Sequence, residues 1–232
     1  MELNGKVVIL TGAARIGADV GKKLVEKGVK LAVTYFNNQP DLGDVLYVKA
    51  DLTKPEDVAR VVAETKKRYG QIDALVHMAA NYKRTPWEKI SDETMQESMW
   101  AILRSAVLMS KAVGDELLKN SQGKIILFSD WSVLNQPYKD YLPYNVAKSA
   151  VVGLTKSLAK ELAPKIAVNA IAPGPILMPP DLSDEENAEV LKNTPLERWG
   201  GEEEITKAVL YLLDSDFVTG QVLYVDGGRS IA

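Results

Sequence analysis

Lys6-Val7-Val8-Ile9-Leu10-Thr11-Gly12-Ala13-Ala14-Arg15-Ile16-Gly17 is the stretch on which the fold turns. Its first half is a short apolar, β-branched run that reads as a buried strand. Thr11 and Gly12 end the run, and residues 15–27 follow with helical character up to Gly28. Small residues between strand and helix let backbone N–H groups approach a pyrophosphate at a helix N-terminus. The loop is not a G-x-G-x-x-G, so taken alone it also fits a plain strand-to-helix turn.

Outward from this unit the same alternation repeats. Leu31-Ala32-Val33-Thr34-Tyr35, Val45-Leu46-Tyr47-Val48, Ala74-Leu75-Val76-His77-Met78 and Lys124-Ile125-Ile126-Leu127-Phe128 read as strands. Ile166-Ala167-Val168-Asn169-Ala170-Ile171 and Val222-Leu223-Tyr224-Val225 close the set. Thr53-Lys54-Pro55-Glu56 predicts a capping box opening a helix to about Tyr69, and residues 92–118 predict one long helix. Fully apolar strands alternating with helices point to a doubly wound parallel α/β sheet covered on both faces, a three-layer α/β/α arrangement. No linker interrupts the pattern, so residues 1–232 are expected to form one domain, with an irregular insertion at residues 173–194. Ligands of such sheets lie beyond the carboxyl ends of the strands, where the winding reverses.

Composition narrows the function. The 46% apolar and 25% charged shares are those of an ordinary soluble globule. A net charge of −3 gives no electrostatic reason to expect nucleic acid or an anionic membrane as partner. There is no Cys, which excludes disulfides and thiol catalysis, and with one His no metal site is expected. No apolar run approaches a membrane span and the first residues lack a signal peptide's pattern, so a cytoplasmic protein acting on a small molecule is expected.

The chemistry is expected around Asp130-Trp131-Ser132 and Tyr144-Asn145-Val146-Ala147-Lys148. Residues 144–162 have helical apolar spacing, which sets Tyr144 and Lys148 side by side on one face. A cation beside a phenol lowers its pKa, and a tuned Tyr can move a proton near neutral pH. Asp51, after the third strand, is placed either to accept from an adenine amino group or to serve as a polar loop residue. The second strand ends Tyr35-Phe36-Asn37-Asn38 with no acid to hold a ribose 2′-OH, and Arg15 offers a guanidinium to a 2′-phosphate. That favours NADP(H), with NAD(H) second. His77 is expected to satisfy backbone groups at the sheet edge.

In this order the motifs resemble the short-chain dehydrogenase/reductase family from about Lys6 to Gly228. The resemblance rests on Thr11-Gly12, Asp51, Tyr144 with Lys148, Pro173-Gly174 and Thr219-Gly220-Gln221…Asp226-Gly227-Gly228. It implies a Rossmann fold binding NAD(P), held by Gly12, Ala14, Arg15, Ile16, Gly17, Asp51, Leu52, Ala79, Ala80, Tyr144, Lys148, Pro173, Gly174 and Ile176. It also implies Tyr144 as proton donor, Lys148 tuning it, and a homotetramer or homodimer contacting through residues 92–118 and the Tyr144 helix.

The chain departs from the family pattern in places that bear on substrate. Its glycine loop is one residue short and lacks the middle Gly. His77-Met78-Ala79-Ala80 replaces Asn-Asn-Ala-Gly, Ile102 falls at the usual Asn, and Asp130 at the usual catalytic Ser. The Asp resembles pteridine and dihydromonapterin reductases, which implies a pterin-like heterocycle as substrate, with Asp130 orienting and protonating it. Tyr82 would then stack on the ring, and Trp131 falls beside the pocket. The rival readings are a ketone or 3-oxoacyl thioester as substrate, and a nucleotide-sensing protein without efficient chemistry.

Overall fold

The computed structural model describes residues 2–120, 122–180 and 182–232. Seven strands form one sheet: β1 (Val7–Thr11), β2 (Lys30–Tyr35), β3 (Leu46–Lys49), β4 (Ala74–His77), β5 (Gly123–Phe128), β6 (Ile166–Pro173) and β7 (Val222–Val225). All pairings are parallel, in the order β3-β2-β1-β4-β5-β6-β7. The chain winds from β1 outward to β3, then returns to place β4 on the other side of β1. That reversal opens a crevice at the carboxyl ends of β1 and β4.

Side chains alternate between the faces of a strand, so each strand feeds two cores. Ile9, Leu75, Ile125 and Leu127 face α2 (Pro55–Tyr69), α4 (Ser105–Leu117) and α5 (Leu142–Leu162). Val8, Leu10, Val76, Ile126 and Phe128 face α1 (Ile16–Glu26) and α7 (Glu202–Asp214). Double coverage is why these strands carry apolar residues at every position rather than at every second one. Truncating a fully buried member such as Leu75 or Ile125 to Ala would cost about 2–5 kcal/mol through lost burial and the cavity left behind.

Four local expectations change. Thr53 does not cap α2: its N–H and hydroxyl both bond Asp51 Oδ1 (3.1 and 2.7 Å), and Lys54 holds the cap position without a side-chain bond. Asp57 Oδ2 instead accepts from the Asp51 N–H at 2.7 Å. The helix expected over residues 92–118 is three pieces: α3 (Asp92–Ser98), a π-helical turn Met99–Arg104, and α4. A π turn carries one residue more than its α-helical flanks, a widening that hydrophobic spacing does not encode. The insertion after β6 holds a helix, α6 (Asp184–Lys192), opened by a capping box in which Ser183 and Glu186 bond each other's backbone N–H. α7, amphipathic and acidic in its first turn, also has no counterpart among the expected elements.

Candidate active site

Tyr144 and Lys148 lie in the first turns of α5, which Pro143 helps to start. Both are buried against the ends of β4 and β5. Lys148 Nζ donates to the Phe128 carbonyl at 2.8 Å, and Ser129 Oγ donates to the Lys148 carbonyl at 3.0 Å, pinning α5 to the end of β5. Asp130 follows directly. Its Oδ1 accepts from the Ser132 N–H at 2.9 Å, capping the 3-10 turn Trp131–Leu134, while its Oδ2 accepts from the Tyr144 hydroxyl at 2.6 Å. One carboxylate therefore both caps a turn and meets the phenol.

The electrostatics correct one expectation. The Tyr144 pKa is raised well above its ordinary value, first by burial and then by the Asp130 carboxylate. Lys148 Nζ, bonded to the Phe128 carbonyl, stands 5.9 Å from the phenol ring centre, and its charge does not outweigh burial and Asp130. Burial pulls the Lys148 pKa down to about 8, with Asp130 opposing that fall. In the cofactor-free chain Tyr144 is thus a phenol that holds its proton.

An aromatic wall flanks this pair. Tyr82 stacks on Tyr141 (centroids 4.6 Å apart, planes at 19°) and meets Tyr144 edge-on at 4.9 Å. Tyr82 is 60% exposed, so its outer surface faces solvent. Trp131 is only 5% exposed; its indole N–H donates to Tyr138 Oη at 2.6 Å and the Arg229 guanidinium lies 5.2 Å from its ring centre. A substrate contact through Trp131 would require that packing to open. Tyr138 carries no motif that marks it from sequence, and Arg229 closes the Asp226-Gly227-Gly228 ending; only the fold brings them to Trp131.

At the nucleotide end, Gly12 has φ 69°, and a Cβ there would sit 2.6 Å from the Ala79 nitrogen and the Met78 carbonyl carbon. Only glycine lets the loop press onto the end of β4. A Cβ on Gly17 would stand 2.2 Å from the Gly12 oxygen, so the loop closes on itself. Ala14 and Arg15 remain exposed on its outer side, followed by Ile16 at the start of α1. Arg15 has φ 50° and ψ −119°, a conformation that side chains resist and that the missing glycine would adopt freely. Asp51 has one oxygen committed to Thr53 and the other 3.8 Å from Lys54 Nζ, beside buried Leu52. Gly174 N–H bonds the Val225 carbonyl, tying the end of β6 (Pro173) to β7, and buried Ile176 follows. Glycines at 12, 17 and 174 thus let the chain close up where side chains would collide, a close approach that suits a dinucleotide.

His77 corrects another expectation. It sits inside the sheet on β4, fully buried, and its partners are side chains rather than edge backbone. Its Nδ1 is 3.0 Å from Thr11 Oγ1 and its Nε2 3.2 Å from Ser105 Oγ. Ser105 donates its hydrogen to the Ala101 carbonyl at 2.7 Å, and Thr11 Oγ1 accepts from the Ala79 N–H at 3.1 Å. Those ends fix the tautomer: Thr11 donates to Nδ1 and Nε2–H donates to Ser105. The chain runs from the Ala79 amide to the π turn with each donor matched. Burial, aided by the Lys148 charge, drops the His77 pKa to about 3.

A doubly wound sheet with a buried Tyr-x-x-x-Lys at the strand ends defines an oxidoreductase of the short-chain dehydrogenase/reductase type. The chain belongs to that family: residues 12–230 match the family model described as enoyl-(acyl carrier protein) reductase. It is 31% identical over 241 residues to the 3-oxoacyl-[acyl-carrier-protein] reductase FabG of Escherichia coli, covering 98% of each chain. The Bos taurus 3-oxoacyl-[acyl-carrier-protein] reductase is 32% identical over 236 residues, at 97% and 98% coverage. Among solved structures, the ligand-free aldohexose dehydrogenase of Thermoplasma acidophilum superposes with a TM-score of 0.92 at 28% identity, covering 99% of this chain and 96% of that one. A Serratia marcescens short-chain dehydrogenase/reductase gives 0.90 at 29% identity, with 99% and 100% covered. These relatives carry 3-oxoacyl and sugar names rather than the pterin name that Asp130 suggests.

Proposed function

We propose that this chain is an NADPH-dependent carbonyl reductase acting on a 3-oxoacyl thioester or a small ketone. The observation that carries the reading is Tyr144: a buried, protonated phenol beside Lys148 at the strand ends, in a chain related end to end to 3-oxoacyl reductases. Gly12, Ala14, Arg15, Ile16 and Gly17 would hold the pyrophosphate side of the cofactor, with the Arg15 guanidinium toward a 2′-phosphate. Asp51 and Leu52 would border the adenine, Ala79 and Ala80 the adjoining ribose, and Pro173, Gly174 and Ile176 the nicotinamide amide. When bound, the reduced cofactor supplies the hydride. Tyr144 gives its proton to the substrate oxygen, so a carbonyl becomes an alcohol. Leaving a phenolate beside Asp130 is costly, and the Lys148 ammonium offsets that charge. Exposed Trp100 and Val107 near α4 and Leu142 and Val146 on α5 support self-association as a dimer or tetramer.

A second reading rests on Asp130. An ionised carboxylate cannot donate to a carbonyl oxygen as a hydroxyl does, whereas it accepts well from the N–H and amino donors of a pterin-like ring. Asp130→Ser and Asp130→Ala, assayed with acetoacetyl-coenzyme A and with a dihydropterin, separate the two. If the substrate is a carbonyl, Asp130→Ser keeps or raises thioester turnover and dihydropterin is a poor substrate throughout. Dihydropterin turnover that exceeds thioester turnover and collapses in Asp130→Ala establishes the heterocycle instead. NADPH binding with no turnover of any carbonyl or dihydropterin overturns both in favour of a nucleotide sensor.

A further inference from the structure

Beyond β7 the chain turns through Asp226-Gly227-Gly228 into a 3-10 turn, Arg229–Ile231. The turn presses on the segment that follows α6: Cβ atoms on Gly227 and Gly228 would meet Thr194 Cγ2 at 2.9 Å and Pro195 Cγ at 2.8 Å. Asp226 holds it from within, accepting from the Gly228 and Ser230 N–H groups at 3.0 and 2.8 Å. The half-buried Arg229 then reaches two elements, α6 and the 3-10 turn Trp131–Leu134. Its Nη1 donates to the Val190 carbonyl of α6 at 2.6 Å and approaches Thr194 Oγ1 at 3.5 Å. Its guanidinium lies 5.2 Å from the Trp131 ring centre. Asn135 Nδ2 and Gln136 Nε2, just past the same 3-10 turn, donate to the Ser230 and Ala232 carbonyls at 2.7 and 3.0 Å.

Trp131 is the residue after Asp130, and its N–H bonds Tyr138, whose carbonyl in turn accepts from Asn145 Nδ2 at 2.8 Å next to Tyr144. The Arg229 guanidinium therefore bears on a ring that adjoins Asp130 in sequence and is bonded through Tyr138 to the segment leading to Tyr144. We propose that Arg229 is a positioning residue that couples the placement of α6 to that of Asp130, acting through the Trp131 ring. The inference rests on the reductase reading for its main assay. A planar cation stacked on an indole holds both partners in register, which a flexible ammonium does less well.

The test is Arg229→Ala, assayed with acetoacetyl-coenzyme A and with a dihydropterin at saturating NADPH, with NADPH affinity measured separately by fluorescence. Coupling predicts a kcat about tenfold lower with NADPH affinity within twofold of wild type. It also predicts that Arg229→Ala costs nothing further when Trp131→Ala is already present, because the two act along one path. A lowered melting temperature with wild-type kcat, or losses that multiply in the double variant, overturns it. Should the alanine variant fail to fold, Arg229→Lys carries the same test: a threefold or greater fall in kcat supports coupling and an unchanged kcat refutes it. If the wild type turns over neither substrate, the reductase reading has failed and hydrogen exchange decides the coupling alone. Faster exchange in both 184–194 and 131–138 on Arg229→Ala supports it, and a change confined to 184–194 overturns it.

Discussion

His77 and Tyr144 are buried to a similar depth near the same strand ends, yet their surroundings prepare them for opposite fates. Around His77 the hydrogen bonds close: Ala79, Thr11, Ser105 and Ala101 match its two nitrogens donor to acceptor, and the ring stays neutral. Around Tyr144 they do not close. Its hydroxyl has one partner, a carboxylate, and its neighbour Lys148 is a buried cation whose own charge burial disfavours. A satisfied network fixes geometry, whereas a mismatched set of charges stores the readiness to move a proton.

The largest test of this contrast is acid stability. Because the His77 pKa is depressed from 6.5 to about 3, its contribution is complete above pH 6.5 and is lost as pH falls toward 3. Between those limits the wild type should lose up to about 5 kcal/mol of unfolding free energy that a His77→Gln variant keeps. Parallel urea titrations of the two proteins at several pH values measure it, and identical slopes would remove the neutral-histidine account. Next in size, Tyr144→Phe should lower kcat by about 10²–10⁴-fold while NADPH still binds, the ordinary worth of a positioned proton donor. Turnover within a few-fold of wild type would show that Asp130 or solvent delivers the proton.

Lys148 sharpens the comparison from the stability side. Its pKa falls from 10.5 to about 8, so the cofactor-free protein gains stability as pH rises between those values and carries a constant penalty below 8. Lys148→Met should therefore be inactive yet more stable at pH 7 by about 2 kcal/mol, the relief of a buried charge less the lost bond to Phe128. Thermal melts that show Lys148→Met weaker than wild type would mean the ammonium is well solvated. The smallest effect belongs to Arg15. Replacing it by Gly should stabilise the fold by about 1 kcal/mol, the relieved backbone strain less the added freedom of the unfolded chain. The same change should weaken NADPH relative to NADH, and unaltered selectivity would take Arg15 off the 2′-phosphate.

Local pattern carries much of this molecule. The apolar runs at 7–10, 31–33, 74–76 and 125–128 mark strands because both faces of a parallel sheet are covered. The four-residue step from Tyr144 to Lys148 places two side chains on one helix face whatever surrounds them. Reading failed where spacing rules leave several partners or helical forms open. Thr53 looks like a cap until Asp51 claims its hydroxyl, and a helix over residues 92–118 gives no sign of the π turn at Met99–Arg104. Tyr138 and Arg229 meet Trp131 only through the fold, which no spacing in the chain foretells.

Sequence by itself determined the α/β alternation and the parallel sheet, because continuous apolar strand runs and near-four helical spacing are written locally, while the order of its motifs carried the family resemblance. Tertiary structure alone decided the charge states. A pKa depends on how much water is displaced and which groups converge from separate elements, so Lys148 beside Tyr144 predicts an acidified phenol where burial and Asp130 make a tightly protonated one.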